Sequence, residues 1–383
     1  MVRITPSSRT CLDVLVLLFS AALIYSWIIL GGKDVGQRVI DKENFVRDTK
    51  TAFDSYYLKT NVSDLISIDS FEKVETKRKQ LIEFLWGQSQ LPRNIPAKIE
   101  NNYKDQRYKD TKNLERIDRL SIEMEYDLVS YVYHFLPREF NGAVIFYHQG
   151  HGGDFFSGIK VISQLLEKGY AVVGFSMPLL GMNTKPDVYL ERFGWFHLER
   201  HAEMKLLLPN SGHPLKYFLE PVVQMVNYLE QSYDYSTIGM TGISGGGWTT
   251  TIMAAIDSRI LVSIPVAGSV PVYLRSGDET DFGDYEEVVP EFLRLANYLE
   301  LYVLGSVGIG RSQLQIINMF DRCCYSGGKT TTYGATVSSI VQSLNSGEYE
   351  LHIDSSHDMH EISDEAIHLI DRKMREVGRL SSK

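Results

Sequence analysis

The sequence predicts an α/β fold, a doubly wound and mostly parallel sheet with helices on its faces. Short apolar runs such as AVIFY (143–147) and YAVVGF (170–175) alternate with helical patterns from Ile117 onward. Helices between strands imply crossover connections, which parallel pairing requires. The chain has 383 residues, 44% of them hydrophobic and 23% charged, an ordinary globular composition. That excludes wholesale disorder and low-complexity arrays. The net charge of −9 is the wrong sign for a surface that grips a phosphate backbone, so no nucleic-acid partner is expected. The 3 cysteines are too few for a disulfide scaffold, and none has zinc-finger spacing.

Residues 14–30 form an uncharged run of 17, extended through Gly31 and Gly32 to position 32. As a helix it would measure about 28 Å, close to the hydrocarbon thickness of a bilayer. A cleaved signal peptide would have a shorter apolar core and a small-residue cleavage site. Here Ser20, Ala21 and Ala22 lead into more apolar sequence, so residues 1–35 are expected to be an uncleaved, single-pass membrane anchor. Its orientation is set by opposing signals. Lys33, Arg38, Lys42, Arg47 and Lys50 follow the run and favour the cytoplasm for the chain after it. A short N-terminal flank acting as a signal anchor favours the extracytoplasmic side, which is the reading taken.

Residues 36–115 read as an accessory helical region. In 71–87, Phe71, Val74, Leu81, Phe84 and Leu85 fall at helical spacing. Pro92 and Pro96 mark a connection. The main domain is assigned to 116–383. Stretches 117–124 and 127–136 alternate in polarity and predict an antiparallel strand pair. Strands follow at 143–147, 170–175, 236–241, 261–267, 314–320 and 349–353, with helices at 155–168, 215–231 and 246–256. Residues 272–313 read as an insertion. Its acidic, aromatic part, 279–287, suits either a lid over the site or a solvated loop.

The chemistry concentrates at Gly242-Ile243-Ser244-Gly245-Gly246, a G-x-S-x-G pattern between an apolar strand and a helix. In that setting the serine sits on a sharp turn that lifts its hydroxyl from the sheet's carboxyl edge. The lysine of a phosphate-binding loop is missing, which disfavours nucleotide binding. A serine nucleophile needs a base, and the base needs an orienting carboxylate. In the order Ser–Asp–His, Asp321 follows the strand 314–320. The loop 354–363 then supplies His357 and His360. His360, where the final helix begins, is favoured over His357. Asp354 and Asp358 come too late in the chain to be the orienting acid in this order.

Oxyanion stabilisation is expected from the backbone amides of His151, in the loop Gln149-Gly150-His151-Gly152-Gly153, and Gly245. A metal held by His148 and His151 lacks an obvious third ligand. His197 and His201 flank Glu199 but match neither zinc-protease motif, and they read as polar residues that could line the pocket.

These residues resemble an α/β-hydrolase fold protein of the esterase, dienelactone-hydrolase and acetyl-xylan-esterase type. The likeness spans 117–377 and rests on Gly242 to Gly246, Gln149 to Gly153, Asp321, and His360-Glu361-Ile362-Ser363. It implies a catalytic triad of Ser244, Asp321 and His360, an acyl-enzyme, no cofactor, no metal, and a small-molecule or glycan ester as substrate. It departs from the usual pattern at Gln149, where a histidine often precedes the glycine. A peptidase or amidase with the same triad and a non-catalytic binding protein on the same fold are the competing readings.

Overall fold

The computed structural model describes residues 50–275 and 282–381, and the unit from Phe53 onward carries the sheet and its helices. Its strands are β1 (Lys98–Glu100), β2 (Leu114–Glu123), β3 (Val129–Pro137), β4 (Ala143–His148), β5 (Ala171–Phe175), β6 (Asp187–Leu190), β7 (Gly194–His197), β8 (Thr237–Ile243), β9 (Val262–Val266), β10 (Ser312–Asn318) and β11 (Glu348–Asp354). Nine of them form one sheet in the order β1-β2-β3-β5-β4-β8-β9-β10-β11, while β6 and β7 make a separate hairpin. β1, β2, β3 and β5 are joined antiparallel, and all pairs from β5 to β11 are parallel.

The helices are α1 (Phe71–Trp86), α2 (Ile159–Glu167), α3 (His201–Met204), α4 (Lys216–Ser232), α5 (Gly245–Ile256), α6 (Pro290–Leu295), α7 (Tyr298–Ser306), α8 (Gly334–Ser343) and α9 (Asp364–Ser381). Because side chains alternate along a strand, each strand feeds both faces. Val144 and Phe146 of β4 join the apolar cluster shared with α1, α4, α5, α7 and α8. Ile145 and Tyr147 join the opposite cluster, with Ile162 and Leu165 of α2 and Ile367, Ile370 and Met374 of α9. Burial on both faces explains why the central strands read as unbroken apolar runs.

The described part of the region read as accessory, from Phe53 on, packs into the main core. Ser70 caps α1 by accepting from the Lys73 amide, Gly87 ends it with φ 69°, and Val74, Leu81 and Leu85 pack into the first cluster. β1 extends the sheet at its edge. Within 272–313, α7 is wholly buried and packs on α5 and α8, and it is the crossover helix between β9 and β10. Among the described residues no helix is long and apolar enough to cross a membrane. The run 14–32, read as an anchor, lies outside those residues.

Two buried arginines hold the helices beside β8. The last carbonyls of a helix have no intrahelical donor and carry partial negative charge. Arg311 donates to Ala254 O (2.5 Å) at the end of α5 and to Leu304 O and Val307 O (both 3.0 Å) at the end of α7. Arg78, on α1, donates to Ala255 O (3.1 Å) and Leu304 O (3.3 Å). Burial, with Arg78 alongside, pushes Arg311 down to about 9 against smaller opposition from Asp257 and Glu75. It still donates to every carbonyl named. Arg311→Met should therefore cost about 3 kcal/mol, since charged hydrogen bonds are lost and buried carbonyls are orphaned. Urea denaturation at neutral pH measures this; an unchanged midpoint would show that α5 and α7 are held without it.

Candidate functional site

Ser244 lies between the end of β8 and the start of α5 with φ 55° and ψ −127°. That is a strained conformation for a residue with a Cβ. Its amide donates to Val266 O (3.1 Å) on β9, and its carbonyl accepts from the Trp248 amide (2.9 Å) in the first turn of α5. The turn is tight because the chain around it lacks side chains. A Cβ on Gly150 would sit 2.6 Å from Ser244 Cβ and 2.5 Å from Ile243 O. One on Gly246 would collide with His148 O and lie 2.9 Å from Gln149 O. The loop after β4 thus lies directly on the serine turn.

The two segments whose amides are expected to stabilise an oxyanion come together at this contact. The Gly245 N–H, first in α5, has no intrahelical acceptor. Gly150, immediately before His151, comes so close that its Cβ would be 3.2 Å from Gly245 N. The His151 ring also packs over this point, since a Cβ on Gly245 would meet His151 Cε1 at 2.6 Å.

Asp321 follows β10 and is fully buried. Its Oδ2 accepts from His360 Nδ1 at 2.7 Å, and its Oδ1 accepts from the Cys323 amide at 2.8 Å. Asn318 Nδ2 donates to Asp321 Oδ2 (3.3 Å) and to Glu361 O (2.9 Å), so one amide spans the acid and the histidine loop. His360 Nε2 is buried and carries no protein hydrogen bond. Burial disfavours the imidazolium, but the hydrogen bond and charge of Asp321, with help from Cys323, outweigh that and raise the His360 pKa; nearby His151 opposes the rise. The His151 ring that packs on Gly245 is thus also the one that opposes protonation of His360.

His357 is arranged differently. Its Nε2 lies 3.4 Å from Asp354 Oδ2, and its Nδ1 accepts from the Met359 amide at 3.2 Å. Asp354 is already engaged by Ser356 Oγ (2.6 Å) and Ser363 Oγ (2.5 Å). Asp358 pairs with Arg322. The loop thus holds two His–Asp pairs, and only His360 reaches Asp321.

The segment read as lid or solvated loop is anchored where it is described, from Phe282; 279–281 lie outside the described residues. Glu286 and Glu287, in a short turn at Tyr285–Val288, are buried. Glu286 Oε1 is 2.8 Å from His151 Nε2 and 3.1 Å from His201 Nδ1. Burial disfavours the charged forms, yet these contacts hold Glu286 down to about 2 and lift His151 to about 9. Glu287 is bonded by the Tyr325 hydroxyl. Burial pushes it up to about 8, with Glu286 and Asp284 adding and Arg275, 3.8 Å away, opposing.

His201 therefore belongs to the site, whereas His197 is exposed and pairs with Asp187 (2.8 Å). His148, the last residue of β4, is buried. It is bonded to Gln149 O (2.8 Å) and stacked on Phe175. Glu286, Asn318 and Arg275 were missed by the sequence reading. The one sequence signal for Glu286 was its place in an acidic run too near a predicted site to be ignored.

No protein-family model matches the chain. No curated protein matches it either. Solved structures do. Acetyl xylan esterase 1 from Thermoanaerobacterium sp. JW/SL YS485 superposes with TM-score 0.53 at 12% identity, covering 87% of this chain and 98% of that one. A glucuronoyl esterase from Solibacter usitatus gives 0.52 at 12%, covering 81% and 92%. The methylesterase BT1017 gives 0.52 at 14%, covering 80% of this chain, which spans 63% of that protein. At such identities the likeness speaks for the fold: the chain has the α/β-hydrolase fold, a mixed α/β architecture on a large and mostly parallel sheet.

Proposed function

We propose that the chain is a serine hydrolase of carboxylic esters. The observation that carries this reading is the His360–Asp321 hydrogen bond of 2.7 Å just past β10, in the same parallel sheet whose strand β8 ends in the strained Ser244 turn. Asp321 holds the His360 proton on Nδ1, which leaves the Nε2 lone pair to take the Ser244 proton. Ser244 Oγ attacks the ester carbonyl. The amides of His151 and Gly245 receive the negative charge that develops on its oxygen, a contribution typically worth about 10²–10³ in rate per donor. His360 then protonates the departing alcohol. Water, deprotonated by the same nitrogen, releases the acid from the acyl-enzyme.

A small-molecule or glycan ester is the proposed substrate. The names of the acetyl xylan and glucuronoyl esterases support a carbohydrate ester. Single-pass membrane anchoring through residues 14–32, with the catalytic unit on the extracytoplasmic side, is proposed on the length and hydropathy of that run.

Ser244→Ala should abolish hydrolysis of p-nitrophenyl acetate and covalent labelling by a fluorophosphonate, with thermal stability nearly unchanged. Labelling at the wild-type rate would remove Ser244 from the mechanism. Parallel assays on acetylated xylo-oligosaccharides and on aminoacyl amides test the ester preference; faster amide cleavage would make the protein a peptidase or amidase.

His360→Ala should lower turnover by several orders of magnitude, and His357→Ala by far less. The reverse ranking would move the base to His357.

The pH profile follows from the direction of the His360 shift. The base works only when neutral, so a raised pKa moves the acid limb of kcat/KM above the ordinary imidazole value of 6.5. Asp321→Asn should return that limb toward lower pH and reduce kcat by about 10⁴. A wild-type limb below 6.5 would contradict the pairing.

A further inference from the structure

The cluster of Glu286 with two histidines does more than fasten a loop. His201 Nε2 lies 2.7 Å from Pro178 O, which can only accept, so Nε2 carries a proton. In neutral His201 the Nδ1 lone pair then faces Glu286 Oε1 across 3.1 Å. Two lone pairs cannot approach so closely unless a positive centre, a proton or a metal ion, lies between them. His151 Nε2 converges on the same oxygen from 2.8 Å. Glu286 Oε2, the other oxygen of this buried carboxylate, has no hydrogen-bond partner.

We propose that His151 Nε2, His201 Nδ1 and the Glu286 carboxylate form a binding site for a divalent transition-metal ion of the zinc class. The three ligand atoms lie within 4.8 Å of one another. Tetrahedral zinc bonds of 2.0–2.1 Å would set ligands roughly 3.3 Å apart, so the two histidine–glutamate separations of 2.8 and 3.1 Å would open by only tenths of an ångström to seat an ion. Two imidazoles and a carboxylate select zinc, cobalt or nickel, whereas calcium and magnesium demand mostly oxygen. The surroundings are those of a ligating histidine. The His201 N–H on the far side of the ring is fixed by a backbone carbonyl, and the ring stands edge-on to Phe218 at 5.1 Å between centroids. Asp284 Oδ2, 3.4 Å from His151 Nε2 and reaching solvent, supplies a further oxygen where the ion would enter. An ion there would tie the 284–286 segment and α3 to the loop beside Ser244. This inference stands on the cluster alone and is independent of ester hydrolysis.

The test uses the full chain, free of histidine tags and stripped with a chelator, titrated with Co²⁺. The expected result is one equivalent of cobalt with the visible bands of a four-coordinate site, displaced by Zn²⁺. Its proton NMR spectrum should show two hyperfine-shifted exchangeable imidazole signals, His151 Nδ1–H and His201 Nε2–H. Zinc at a hundredfold excess over its Kd should raise Tm by on the order of 5 °C. His201→Ala and Glu286→Gln should each abolish the bands, and His197→Ala should keep them. Far-ultraviolet circular dichroism and a cooperative thermal transition show whether each variant is folded. A wild-type protein that gives neither bands nor a Tm shift would overturn the site and show that a proton fills the gap. Bands that survive in folded His201→Ala, or an NMR spectrum without the two imidazole signals, would overturn it as well.

Discussion

The close approach of two backbone segments at Ser244 is the constraint on which the rest of the site depends. The loop after β4 touches the turn between β8 and α5, and in the proposed mechanism the two oxyanion donors come one from each and the nucleophile sits on the second. Gly150 and Gly246 make the contact possible, since a methyl group at either would overlap main-chain atoms of the facing segment. The strain at Ser244, with φ 55°, is held on both sides by hydrogen bonds, to β9 through its amide and to α5 through its carbonyl. Strain of this kind costs of order 1–3 kcal/mol and persists only where the surroundings over-determine it. Here the surroundings are the buried centre of the parallel sheet and the arginine-tied ends of α5 and α7.

The sheet also explains how distant residues meet. Ser244 follows β8 and Asp321 follows β10, and both strands run parallel to β9 between them. Residues just past the ends of parallel strands share one edge, where ligands of such sheets bind. His360 is delivered to that edge by the loop between β11 and α9, and Asn318 fixes the loop to Asp321. Adjacency in space thus comes from strand order, although the three residues are far apart in sequence.

That logic is why much of the molecule was legible from sequence. A central strand buried on both faces must be apolar throughout, and a glycine-rich turn after such a strand has few uses. The helix–strand alternation from Ile117 and the candidates Ser244, Asp321 and His360 follow from those two facts. What was not legible is what one-dimensional spacing does not encode. Glu286 and Glu287 look like a solvated acidic run until Arg275, Tyr325 and two histidines are seen around them. Tyr298–Ser306 read as part of an insertion because a helix buried on every side has no polar face and so lacks amphipathic periodicity. Segment 71–87 declared its helix but not its partner, since an apolar stripe does not say which core it joins.

The two His–Asp pairs of the last loop show how geometry separates roles that composition leaves equal. His357 and His360 are three residues apart on one loop, each with a carboxylate nearby. Asp354 spends its lone pairs on Ser356 and Ser363, and Ser363 Oγ in turn accepts from the Ala366 amide (2.9 Å) in the first turn of α9. Its work is to fold the loop and start the helix, and His357 is a peripheral neighbour. Asp321 spends its lone pairs on Asn318, on the Cys323 amide and on His360, all of which fix the direction of one imidazole. The outer nitrogen of that imidazole carries no structural hydrogen bond. A half-buried histidine so tightly oriented on one side, with its buried Nε2 left unpaired on the other, is expensive to maintain. That expense is what the proposed mechanism calls for, in which the unpaired nitrogen exchanges a proton with Ser244.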